Sequence, residues 1–254
     1  MNLIMLMMQM YLKVRMKFVF VGLCLFLLSV GAHARVYLVS VGIADYPGTE
    51  LDLNLPVKDA KTVAWLYSKN DNVDYALLLD QKATRSRILA AMNKVFSKAQ
   101  ANDIVVFFFS GHGYPGGFVA YDAHIPYQSI RKAMAKSPCR NKMIFADACF
   151  SGKIRTGRRN SGNSMAEARK ANVMLFLSSR NDETSLERAD MSNGFFTTYL
   201  QKGLRGSADK NKDRKITARE LFDYVHNGVV QISGGKQHPV MWGKFPDNMP
   251  VMVW

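Results

Sequence analysis

Continuous apolar runs alternate with amphipathic ones along most of this chain. Residues 35–43 (RVYLVSVGI), 103–110 (DIVVFFFS), 142–149 (KMIFADAC) and 172–179 (NVMLFLSS) would present apolar side chains on both faces of a strand. That pattern marks strands buried from two sides. YALLLD, ending at Asp80, is a further strand. Between them, residues 56–70, 84–100 and 127–137 carry a helical period. Pro56 opens the first of these, with Val57, Ala60, Val63, Ala64 and Tyr67 on one face, and Thr84 stands at the cap position of the second. Strands alternating with helices predict an α/β domain with a parallel sheet covered on both faces. In such sheets ligands gather at the carboxyl ends of the strands.

The N-terminus reads differently. Lys17 precedes an apolar run from Phe18 to Val30, and Ala32-His33-Ala34 follows. We expect residues 1–34 to be a signal peptide cleaved after Ala34, with Met16 as an alternative true start. The run is short for a bilayer span, so no stable membrane span is expected once it is removed. The product, residues 35–254, would be exported to the periplasm or secreted. The formal net charge is +14. Much of that excess lies in 153–170 and 210–219, without an aromatic-interleaved basic groove, so no nucleic-acid partner is expected. After cleavage only Cys139 and Cys149 remain, too few for a disulfide scaffold. His124, His226 and His238 lack partners at metal-ligand spacing, and no phosphate-binding glycine loop is present.

Two strand ends carry chemistry. One delivers Ser110-Gly111-His112-Gly113; the other delivers Asp147-Ala148-Cys149, followed by Phe150-Ser151-Gly152. If these strands are neighbours, an imidazole and a thiol emerge at the same sheet edge. The imidazole can take the thiol proton and later protonate a leaving amine. Backbone N–H groups of Gly113 and Cys149 are candidates for an oxyanion hole. Residues two apart on a strand share a face, which puts Asp147 beside Cys149. A buried carboxylate there needs a cation or several donors. Either a substrate cation or backbone donors at the strand end would serve.

SGHG together with DACFSG resembles the caspase-like cysteine peptidases of the metacaspase and bacterial caspase-domain type. VYLVSVGIADYPG, LPVKDAKTVAWLY, NGFFTTYLQKGLRG and QHPVMWGKFPDNMPVMVW extend the likeness over most of residues 35–254. The resemblance implies a three-layer sandwich around a six-stranded, mostly parallel sheet, with a His–Cys dyad in which His112 is the base and Cys149 the nucleophile. It implies a large-subunit-like region over 35–152 and a small-subunit-like region over 172–254, divided by a basic linker at 153–171. It also implies a pocket for a substrate Arg or Lys lined by Asp147, Ser110 and Asp59. The expected activity is a cysteine endopeptidase acting on proteins or peptides with basic residues. The rivals are a caspase-like domain that binds proteins without cutting them, and a peptidase of the same fold that cuts at Asn.

Two segments bear on regulation. Residues 153–170 are polar and hold Lys153, Arg155, Arg158, Arg159, Arg169 and Lys170, sites a basic-specific peptidase could cut in itself. In 209–220, Asp209, Asn211, Asp213, Thr217 and Glu220 occupy positions 1, 3, 5, 9 and 12 of an EF-hand loop. Arg214 stands where that loop has glycine, and Thr217 with Glu220 also forms a capping box, so the plain helix-start reading competes with calcium. No cofactor is expected to be required.

Overall fold

The computed structural model describes residues 34–69, 72–114, 116–148, 173–179 and 192–253. Residues 1–33 of the expected signal peptide, Cys149 and the linker at 153–171 lie outside the described residues.

The apolar runs become the centre of the molecule. Strands β1 (Val36–Gly42), β2 (Val73–Leu79), β3 (Ile104–Ser110), β7 (Asn141–Asp147), β8 (Val173–Leu177) and β10 (Val240–Trp242) form a sheet in the order β10-β8-β7-β3-β1-β2. All pairings are parallel except β10 with β8. Every residue of β1, β3 and β8 is buried, which is why these segments show no polar alternation. The helices are α1 (Pro56–Ser68), α2 (Arg85–Phe96), α3 (Tyr127–Ala135), α4 (Phe195–Lys202) and α5 (Ala218–Ile232).

Strand parity divides the core in two. Val39, Val41, Val105, Phe107, Phe109 and Ile144 face α2 and α3, where they pack with Ile88, Met92, Ile130 and Met134. Leu38, Val106, Phe108, Met143, Phe145 and Phe176 face the other way, packing with Val63, Tyr67, Phe196, Leu200, Leu221 and Val225 of α1, α4 and α5. The result is the expected three-layer α/β sandwich.

Local signals explain the helix starts. Pro56 fills the first turn of α1, and the Thr84 hydroxyl accepts the Arg87 N–H at 3.3 Å at the start of α2. Thr217 and Glu220 form the complete capping box of α5.

Some elements differ from the sequence reading. QHPVMWGKFPDNMPVMVW, which resembles the family's closing strand, splits into β10 and β11 (Pro250–Val253). The latter pairs instead with β9 (Lys215–Thr217) in a separate two-stranded sheet. The glycine-rich stretch after β3 is a three-stranded sheet of β4 (Gly113–Tyr114), β5 (Gly117–Val119) and β6 (His124–Pro126). Strands of two or three residues are too short for periodicity to reveal. Strand β7 ends at Asp147, not at Cys149.

Candidate active site

Strands β3 and β7 are direct neighbours, with Ser110 opposite Asp147. The Gly111 N–H continues the ladder to the Asp147 carbonyl at 3.2 Å. The two motifs therefore leave the sheet at one edge. The strand order β2-β1-β3 also reverses direction here, so the loops after β1 and β3 flank the crevice that open α/β sheets use for ligands.

His112 is half-buried, and its surroundings fix its tautomer. Its Nε2 lies 2.7 Å from the Leu51 carbonyl oxygen. A carbonyl only accepts, so Nε2 carries the proton and Nδ1 keeps a lone pair able to take another. The His112 backbone N–H donates to the Tyr46 hydroxyl at 3.0 Å, and that hydroxyl donates to the Val119 carbonyl at 3.2 Å. The Tyr46 and His112 rings lie 5.0 Å apart. Gly111 makes room for this contact. Its φ is +151°, and a Cβ there would come 2.8 Å from the Tyr46 hydroxyl. Gly113, the proposed oxyanion donor next to His112, opens β4 opposite Phe118.

Asp59, Ser110 and Asp147, the three residues expected to line a pocket for a substrate Arg or Lys, lie together. Asp59 of α1, Ser110 of β3 and Asp147 of β7 are 1%, 2% and 6% exposed. Ser110 Oγ donates to Asp59 Oδ2 at 2.8 Å, while Asn193 Nδ2 and the Gly194 N–H donate to Asp59 Oδ1 at 2.7 and 3.3 Å. Asp147 Oδ2 accepts from the Thr197 N–H and the Thr197 hydroxyl at 3.2 and 2.9 Å. Both carboxylates thus meet the N-terminal turn of α4, where free N–H groups and the helix dipole favour negative charge. Even so, burial pushes the Asp59 pKa up, and the neighbouring Asp147 pushes it further; the Asn193, Ser110 and Gly194 hydrogen bonds oppose the rise. Gly194 is forced by proximity, since a Cβ there would lie 2.8 Å from Asp147 Oδ2.

Sequence reasoning missed Asn193, Gly194 and Thr197. The available signal was Asn-Gly before an apolar helical run, a helix start whose donors need an acceptor. It also missed the support beneath the end of β7. Ser178 Oγ accepts the Ala148 N–H at 3.2 Å and lies 3.3 Å from the Ala148 carbonyl, while the fully buried Gln237 donates to the Ser178 carbonyl at 2.8 Å. Ala148 immediately precedes Cys149, so this bracing fixes where the chain leaves the sheet. The other cysteine, Cys139, is buried with its thiol donating to the Asp103 carbonyl at 2.8 Å, and burial pushes its pKa up to about 11. That environment disfavours the reactive thiolate.

In the acidic loop, side-chain oxygens cap the backbone. Asp209 accepts from the N–H groups of Asp213 and Arg214, Asn211 from Asp213, and Asp213 from Lys215. Glu220 accepts from the Thr217 N–H and hydroxyl. Arg214 does adopt a left-handed φ of 64°, so the missing glycine does not prevent the turn. Among the described residues no group of three or more His, Cys, Asp or Glu side chains could hold a metal, and no helix is long and apolar enough to cross a membrane.

Comparison with known proteins accords with this architecture. A crystal structure of a protein from Geobacter sulfurreducens superposes with a TM-score of 0.63 at 17% identity, covering 86% of this chain and 97% of that one. At that identity the likeness is one of fold. No curated protein matches the chain. The family model for the caspase domain matches residues 35–249, which takes in all six strands of the main sheet. The chain therefore belongs to the caspase-domain family of cysteine-type peptidases, whose substrates are proteins.

Proposed function

We propose that this protein is a cysteine endopeptidase that cuts after Arg or Lys, with Cys149 as nucleophile and His112 as base. The observation that carries the specificity is the buried pair Asp59 and Asp147, joined by Ser110 at the strand ends beside the base. Two carboxylates close together raise the pKa of one of them, and a substrate guanidinium or ammonium would relieve both burial and repulsion. The protein donors already on each acid also satisfy a purely structural role, so substrate selectivity decides between the two.

In the proposed reaction, Nδ1 of His112 takes the Cys149 proton and the thiolate sulfur attacks the scissile carbonyl carbon. The carbonyl π pair moves onto oxygen, where the Gly113 and Cys149 N–H groups would stabilise it. As the pair returns, the C–N bond breaks and the imidazolium gives its proton to the departing amine. Water, deprotonated by His112, then cleaves the thioester and restores the thiol. The Leu51 carbonyl would keep the imidazole oriented throughout.

The reading includes export by a signal peptide over 1–34 and self-cleavage within 153–170. Its test is turnover of peptides varied only at the residue before the scissile bond, with Cys149→Ala and His112→Ala as controls. Arg and Lys peptides should be cut, Asp and Asn peptides should not, and both variants should be inactive. Full activity in Cys149→Ala would refute the mechanism. Efficient cutting after Asp would refute the pocket.

A further inference from the structure

Tyr46 and Asp80 lie outside SGHG and DACFSG, yet they organise the loop that holds His112. The segment after β1 leaves the sheet at Ile43 and returns to α1 at Pro56. It begins with Ala44 and Asp45, whose N–H groups both donate to Asp80 Oδ1, at 2.8 and 3.1 Å. Asp80 follows β2 and has a φ of +43°. A non-glycine residue tolerates that conformation only when its surroundings demand it, and aspartate tolerates it better than most. Two N–H groups captured by one carboxylate oxygen are such a demand.

The next residue, Tyr46, is buried, with its N–H donating to Asp52 Oδ1 at 3.1 Å. Leu53 closes the segment by donating its N–H to the Ala44 carbonyl at 2.8 Å. Within this closed loop lie two of the groups that hold His112; outside it, the Val119 N–H donates to the His112 carbonyl at 2.9 Å. The Tyr46 hydroxyl takes the His112 N–H and fixes its backbone, and the Leu51 carbonyl takes Nε2–H and fixes the ring. The hydroxyl has no slack, because Val119 accepts its proton and Gly111 lies against it. Burial pushes the phenol pKa far up, so it stays protonated and keeps this donor–acceptor role across the working pH range.

We propose that Tyr46 and Asp80 are positioning residues for His112: Tyr46 through its hydroxyl, and Asp80 by anchoring the loop that carries Tyr46 and Leu51. The inference rests on His112 being the base of a peptidase. Neither residue needs to touch substrate, so their loss should appear in the chemical step and not in substrate binding. A small misplacement of a catalytic group can lower the rate by about a hundredfold.

The experiment measures kcat per titrated active site, KM, the pH profile and melting temperature on an Arg peptide for the parent, Tyr46→Phe, Asp80→Ala, Asp80→Asn and His112→Ala. Tyr46→Phe and Asp80→Ala should each lower kcat by about 10- to 100-fold with KM within about twofold, and should shift or blunt the acid limb of the profile. Asp80→Asn keeps an oxygen able to accept both N–H groups and tolerates positive φ, so it should recover most of the loss. If Tyr46→Phe fails to fold, Asp80→Ala against Asp80→Asn carries the same test. Normal kcat per active site in Tyr46→Phe and Asp80→Ala, with His112 essential, overturns the proposal alone. So does a loss confined to active fraction or to KM, which marks a merely structural role. Full turnover in His112→Ala overturns the base assignment and this proposal with it.

Discussion

Asp59→Asn should make the protein more stable and poorer at its proposed task. Asp59 is 1% exposed and accepts three hydrogen bonds near a second buried carboxylate. When ionised, it bears an effective burial penalty of several kcal/mol, plus repulsion from Asp147. Three charge-assisted hydrogen bonds, at roughly 1.5–3 kcal/mol each against about 1 for neutral ones, recover part of this. The raised pKa shows which side wins: the charged form is the disfavoured one. An asparagine keeps the oxygen that accepts from Asn193 and Gly194, and its amide can donate to Ser110 once that hydroxyl turns. We expect a net gain of about 1–3 kcal/mol at pH 8. For a domain of this size that is roughly 3–10 °C in melting temperature. The sign with pH follows from proton counting. Above the ordinary carboxyl range the native state holds a proton that the unfolded chain has lost, so parent stability falls as pH rises toward the folded pKa. The proton belongs to the Asp59–Asp147 pair, so the slope reports the pair. The variant lacks most of this slope. Its advantage should be near zero around pH 4 and largest around pH 8, while KM for Arg peptides rises about tenfold or more. Thermal melts across that range, with KM at pH 8, make the measurement. A shift independent of pH, or a loss of stability at pH 8, would refute the charge argument.

Three further outcomes are expected. Thr197→Val removes the hydroxyl that donates to Asp147 Oδ2 at 2.9 Å, with little change of shape. Denaturant unfolding should show a loss of about 1–3 kcal/mol, and no loss would mean the carboxylate finds another donor. Intact mass over time should show the parent splitting into fragments that end at Lys or Arg within 153–170, while Cys149→Ala stays whole; identical nicking of both would assign the cut to an outside protease. Millimolar calcium should leave melting temperature unchanged within about 1 °C, because Glu220 already caps α5 and three lysines surround the loop. A shift that disappears in Asp213→Ala would establish a site.

The sheet was legible because parallel strands buried on both faces have nowhere to hide a polar residue. VYLVSVG and IVVFFFS could be little else. The strand-end motifs were legible for a related reason: a Ser, His or Asp at the end of such a run is conspicuous. The expected convergence of Asp59, Ser110 and Asp147 is present, and it needed only strand adjacency and one helix. The rest left no local trace. The Leu51 carbonyl has no residue-type signature, since every residue has a carbonyl. Asn193 lies 134 residues from the carboxylate it bonds. Tyr46 reads as an ordinary core aromatic until its hydroxyl is seen between His112 and Val119. The β4–β6 sheet was hidden by its brevity and by glycines that signal turns more strongly than strands.

The two halves of the proposed site are built on opposite faces of one sheet, and Gly111 is the point of division. Ser110 turns its side chain toward α1 and the acids, into the layer formed with α4 and α5. His112, two residues later, is held by Tyr46 and Val119, which pack with Phe109, Phe118 and Tyr127 in the other layer. Between them, the φ of Gly111 lies where side chains are rarely tolerated, and the space for a Cβ is taken by the Tyr46 hydroxyl. The proposed cation pocket and His112 therefore rest against separate hydrophobic clusters. Distant sites without shared partners combine additively, whereas neighbours do not. Asp59→Asn and Tyr46→Phe should accordingly combine with additive free energies, one acting on KM and the other on kcat. Gly111→Ala should disturb both parameters at once, because the clash it introduces sits on the backbone that joins Ser110 to His112.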